Sequence, residues 1–136
     1  MKIKHQIRSL SNVSPIHIIF KTNVSFSLQS KIICSYVKDL IKEIERRYLV
    51  QTIAFYISKN HIHLVIRSGS LDNIHRSMQY LASKIALKIN TLLGRKGKFW
   101  LDRYFSLVKR SAREIRTVLH YLATQDKFIT CFKTSN

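Results

Sequence analysis

Residues 61–67 read His-Ile-His-Leu-Val-Ile-Arg, and this run constrains the fold more than any other part of the chain. In an extended strand successive side chains alternate faces, so Ile62, Leu64 and Ile66 share one face while His61 and His63 project from the other. The apolar face has to be covered, and the opposite face offers two imidazoles close enough to share one metal ion. Some sixty residues further on, Tyr121 and Gln125 lie four apart. On a helix that spacing puts a phenolic hydroxyl beside an amide oxygen on one face, a candidate nucleophile next to a candidate third ligand.

The rest of the chain supplies the cover. After Pro15, the β-branched residues 16–20 suit a first strand, with His17, Ile19 and Lys21 on one face. Residues 28–48 form a predicted helix whose apolar stripe is Ile32, Ile33, Tyr36, Val37, Leu40, Ile41 and Ile44, with Lys31, Lys38, Lys42 and Arg46 off that stripe. Residues 50–58 read as a strand that turns through Ser58, Lys59 and Asn60 into the histidine strand, a predicted hairpin. Residues 70–93 restore helical spacing through Leu71, Ile74, Met78, Leu81, Ile85, Ile89 and Leu92, with Gly94 at the expected stop. A basic loop, Gly94-Arg95-Lys96-Gly97-Lys98, leads to a Trp-containing turn and a strand over 99–110. Ser111 and Glu114 then match a capping box opening the helix that carries Tyr121.

Strand, helix, strand, strand, helix, strand, helix is the order of an α+β fold. It predicts an antiparallel sheet with the two long helices on its apolar face and the last helix at the histidine face. One proline and three glycines leave no linker at which to divide the chain, so a single domain over 1–136 is expected, with its core at 16–127 and flexible ends at 1–14 and 128–136.

Twenty-four Lys and Arg against seven Asp and Glu give a formal net charge of +17, which points to a polyanionic partner, nucleic acid first. No segment has the apolar length of a membrane-spanning helix, the N-terminal residues lack the apolar centre of a signal peptide, and the basic residues are dispersed. A cytoplasmic, nucleoid-associated protein with no membrane partner is expected. Two cysteines, Cys34 and Cys131, exclude a Cys-rich zinc module and read as reduced thiols.

These residues together resemble the single-tyrosine transposases of the HUH class, named for a His-hydrophobic-His motif, and within it the REP-associated tyrosine transposases. The resemblance rests on Asn60, His61, Ile62, His63 and Leu64, on Gly97, Trp100, Arg103 and Tyr104, and on the segment from Arg113 to Tyr121. It implies a ferredoxin-like HUH endonuclease fold, a divalent metal held by His61 and His63, and a nucleophilic Tyr121 that forms a 5′-phosphotyrosine. It also implies single-stranded or hairpin DNA as substrate and a monomer or homodimer as the working unit. REP-associated members usually carry, four residues after the tyrosine, Asn and then Pro, whereas this chain has Gln125 and Asp126 there; glutamine is the ligand of the sister insertion-sequence group.

With His61, His63 and Gln125 as ligands, two imidazoles and one amide oxygen suit Mn²⁺ better than Mg²⁺, which prefers an all-oxygen shell, and Zn²⁺ also accepts these ligand types. Continuing the alternation brings Arg67 to the histidine face, where it can steady a phosphate. Arg95, Lys96, Lys98 and Arg103 are candidate DNA contacts. Phe99 and Trp100 are assigned to packing in preference to base stacking. His5, His17, His75 and His120 are assigned no ligand role. Two other functions fit the same residues: a non-catalytic, domesticated nucleic-acid binder, and a water-using metal nuclease. Both would tolerate Phe at position 121.

Overall fold

A computed structural model describes residues 15–101 and 106–109, together with 113, 114, 116, 117 and 120. The elements run β1 (Ile16–Lys21), α1 (Lys31–Tyr48), β2 (Gln51–Ile57), β3 (His61–Arg67), α2 (Leu71–Leu93) and β4 (Ser106–Lys109). The four strands form one sheet in the order β2-β3-β1-β4, every neighbouring pair antiparallel. This is the ferredoxin-like arrangement: α1 carries the chain from β1 across to β2, and β3 then returns between them.

Registers follow from the apolar alternation. Ile16, Ile18 and Phe20 of β1 stand opposite Ile66, Leu64 and Ile62 of β3, so six large apolar side chains share one face. All six belong to the buried core, together with Ile33, Val37, Leu40, Ile41 and Ile44 of α1 and Ile74, Met78, Leu81, Ile85 and Ile89 of α2. The two long helices cover the apolar face of the sheet, as the sequence predicts. β2 carries an irregularity between Thr52 and Ala54. The extra residue, Ile53, resets the alternation, so that Phe55 and Ile57 enter the core while Tyr56 pairs with His63 on the opposite face.

The helices begin and end where local chemistry dictates. The Ser30 side chain accepts from the Ile33 N–H, which starts α1 three residues later than the apolar spacing suggests. Leu28 instead sits fully buried before the helix, its N–H bonded to the Lys59 carbonyl at 2.9 Å. Ser70 caps α2 through the Asn73 N–H, and Gly94 ends it at φ 62°, a left-handed conformation that glycine adopts without a Cβ clash. Three residues expected on the apolar stripes lie outside: Ile32 is 61% exposed, Leu71 54% and Leu92 49%. Each lies at the margin of a stripe whose centre already fills the space over the sheet.

Beyond α2 the chain is pinned along the edge of β1. Thr22 bridges Trp100, its hydroxyl donates to the Phe99 carbonyl, and the Leu101 N–H bonds the Lys21 carbonyl at 2.8 Å. Phe99 is buried, while Trp100 packs on Phe20 and donates its indole N–H to the Ala82 carbonyl at 2.9 Å. Both aromatics are therefore packing residues, and the turn they form delivers the chain to β4 beside β1. Cys34 is a buried free thiol.

Candidate active site

β3 presents His61, His63 and Arg67 on the face opposite the core, as its unbroken register with β1 requires. The His61 and His63 rings lie 5.8 Å apart between centroids. His63 is flanked on one side by Tyr56 of β2, at 6.1 Å, and on the other by His17 of β1, at 5.3 Å with the rings nearly parallel. His17 Nε2 lies 3.1 Å from His63 Nδ1. His17 is only 4% exposed, and Lys21, four positions along the same strand, stands opposite His61.

Burial and neighbouring positive charge disfavour the charged form of both motif imidazoles. Burial is the main cause at His63, reinforced by His17, His61 and Lys21, and its pKa falls from an ordinary 6.5 to about 4. At His61 burial again leads, with Lys21 second, and the pKa is lowered. A neutral imidazole keeps a lone pair for a cation, so the donor chemistry of the pair suits a divalent metal. Among the described residues, no three His, Cys, Asp or Glu side chains are placed to hold a metal ion by themselves.

Ser58, in the turn between β2 and β3, organises the entry to this strand. Its hydroxyl lies 3.0 Å from His61 Nδ1, accepts from the His61 N–H at 3.1 Å and donates to the His61 carbonyl at 3.3 Å. Sequence reasoning placed Ser58 in the turn and His17 on β1 but gave neither a part in the site. The signal for His17 was present, because alternation places it on one strand face with Ile19 and Lys21. What was missing was the pairing of β1 with β3, which turns that face toward the HUH histidines.

The basic candidates are distributed differently. Arg95 is committed to its own loop: its guanidinium donates to Asn90 Oδ1 at 2.7 Å and to the Lys98 carbonyl at 3.1 Å. Lys96 and Lys98 are exposed. Arg95 and Leu93 border an open depression of about 400 Å³ whose other wall is residues 23–26. The same segment borders a second depression of about 350 Å³ that reaches Lys59 and Asn60, immediately before His61. Arg113, Glu114, Arg116, Thr117 and His120 are helical and exposed, in agreement with a helix after β4. Tyr121, Gln125 and Arg103 lie outside the described residues, as do both chain ends.

The model of the family described as "Transposase IS200 like" matches residues 11–125. The chain belongs to the IS200-like transposase family. The match ends at Gln125, so it includes His61, His63 and Tyr121. Two solved structures share the fold. One is a candidate transposase from Deinococcus radiodurans R1, at 14% identity and TM-score 0.57, covering 82% of this chain and 89% of that one. The other is a REP-associated tyrosine transposase bound to a REP hairpin, also at 14% identity and TM-score 0.57, covering 80% of this chain and 64% of that one. Comparison with curated proteins by sequence finds no match. As a family member the IS200-like chain is a DNA transposase, an enzyme of DNA recombination. No helix among the described residues is long and apolar enough to cross a membrane.

Proposed function

We propose that this IS200-like transposase cuts and rejoins single-stranded DNA, beside a hairpin, through a covalent tyrosine intermediate and with a divalent metal, Mn²⁺ or Mg²⁺. The observation that carries the reading is the pair of imidazoles, His61 and His63, side by side on the non-core face of a central strand. His61, His63 and Gln125 would hold the cation. When bound, it supplies Lewis-acid stabilisation of charge at the scissile phosphate. The Tyr121 oxygen attacks phosphorus as its proton departs, the bond from phosphorus to the 3′ oxygen breaks, and the 3′ oxygen leaves as a hydroxyl. The product is a 5′-phosphotyrosine. Because the phosphodiester bond energy is retained in that link, a later 3′-hydroxyl can reverse the attack and join strands without a nucleotide cofactor.

Arg67, on the same face as the histidines, would steady the phosphate. Lys96, Lys98 and Arg103 would contact the DNA backbone, with Arg95 holding the loop from which the two lysines project. The hairpin-bound relative supports hairpin DNA as the substrate class. The test compares wild type with Tyr121→Phe on labelled single-stranded DNA carrying hairpins from the flanks of the gene, with Mn²⁺ or Mg²⁺, on denaturing gels. A covalent adduct formed only by wild type, and abolished by chelator, is the expected result. Binding without an adduct would favour a non-catalytic binder, and cleavage by both proteins a water-using nuclease.

A further inference from the structure

We propose that His17 and Ser58 are positioning residues that fix the tautomers of His63 and His61, holding each proton on Nδ1 so that each Nε2 keeps its lone pair for the cation. The inference rests on the metal reading of the two histidines above. It begins from which ring atoms are engaged: Nδ1 in both, His63 with His17 Nε2 at 3.1 Å and His61 with Ser58 Oγ at 3.0 Å.

For Ser58 the proposed direction is the one that uses every donor and acceptor of the hydroxyl. A serine hydroxyl has one proton and two acceptor lone pairs. The proton goes to the His61 carbonyl and one lone pair takes the His61 N–H. In that allocation the remaining lone pair faces His61 Nδ1, which carries the proton and donates it, and Nε2 of His61 is left unprotonated. In the reverse allocation, which the tautomer measurement below distinguishes, the hydroxyl donates to Nδ1.

For His63 the same outcome follows from what ligation demands. One of the two facing nitrogens, His17 Nε2 or His63 Nδ1, has to donate and the other accept. If His17 donated, neutral His63 would carry its proton on Nε2 and could not offer that atom to a metal. If His63 Nδ1–H donates, its Nε2 is free, and neutral His17 carries its own proton on Nδ1. Metal-bound histidines regularly fix their ring through the second nitrogen in this way, using a carboxylate, carbonyl or water. Here a buried imidazole and a hydroxyl take that place. His17 is not itself counted as a ligand, because the three histidines are not placed to hold a metal ion by themselves.

The test reads the tautomers directly in the metal-free protein, by long-range proton–nitrogen correlation NMR of the imidazoles near pH 7.5, in wild type, His17→Phe, His17→Gln and Ser58→Ala. Mn²⁺ binding is measured on the same proteins by titration calorimetry. Wild type is expected to show Nδ1–H at both His61 and His63. His17→Phe should release the His63 proton to Nε2 and weaken Mn²⁺ binding about 10- to 100-fold, the usual cost of losing such a partner. Ser58→Ala should do the same at His61. His17→Gln, whose amide oxygen can accept from Nδ1–H, should restore much of the affinity. A wild-type His63 protonated on Nε2 would overturn the proposal even if every variant misfolded, and so would unchanged tautomers and affinity in His17→Phe and Ser58→Ala. His63→Ala separates the two levels of argument. If it binds Mn²⁺ as wild type does, the metal reading itself fails; if it loses binding while His17→Phe and Ser58→Ala keep it, only the positioning role fails.

Discussion

Acid should destabilise the metal-free protein through His63, and the size of the effect follows from where its ring sits. The folded-state pKa is about 4 against an ordinary 6.5, with burial the leading cause. Between those two values the unfolded chain binds more protons than the folded one, so stability falls as pH falls, beginning near 6.5 and ending near 4. Above that window both states hold a neutral ring, and His63 contributes no pH dependence. Linkage gives a loss of about 2 kcal/mol by pH 5 and about 3 kcal/mol below pH 4. Urea unfolding in the presence of chelator, followed by the single tryptophan, Trp100, packed against Phe20 and Phe99, would measure it. His63→Gln keeps a neutral polar side chain and removes the titration, so it should lose about 2 kcal/mol less than wild type between pH 7.5 and pH 5. Identical acid losses in the two proteins would refute the reasoning, because the buried ring would then not be what resists protonation.

Two further outcomes test the scaffold. Gly94→Ala should cost about 1 kcal/mol by thermal or urea unfolding: a Cβ there meets no atom within 4 Å, so only the left-handed backbone at φ 62° opposes it. Ile18→Ala, at a fully buried position in the middle of β1, should cost about 2–5 kcal/mol. A much smaller loss there would mean that the core collapses around the missing methyl groups.

Much of this architecture was legible because two periodicities carried it. Alternation in residues 61–67 and 3.6-residue spacing in the two long helices fixed the element types and the face each one buries. What was not legible came from contacts between distant segments. The start of α1 depends on the Ser30 cap and on Leu28 being drawn to the Lys59 backbone, neither of which apolar spacing encodes. The exposure of Ile32, Leu71 and Leu92 reflects finite room over the sheet, a tertiary limit that a helical stripe cannot show. Arg95 read as a phosphate contact because it is basic in a basic loop, and charge alone did not show that it also donates to Asn90 and the Lys98 carbonyl. His17 was assigned no ligand role, and its place beside His63 follows only from the pairing of β1 with β3.

The core side of the sheet also determines the geometry of the histidine side. Side-chain alternation has a period of two, so a slip of one residue in the β1–β3 register would turn His61 and His63 toward the helices and Ile62, Leu64 and Ile66 away from them. Burying those three residues against Ile16, Ile18 and Phe20 makes such a slip costly, so the same contacts that stabilise the fold keep the two imidazoles together. β2 meets the requirement by another route. Without the extra residue at Ile53, the segment before it and the segment after it would be out of phase relative to β3. The bulge allows Thr52 to pair with Ile66 while Phe55 and Ile57 still face the core, and it leaves Tyr56 beside His63. The site therefore needs no binding energy of its own to assemble its imidazoles, since their placement is enforced from the far side of the strand by residues that take no part in the chemistry.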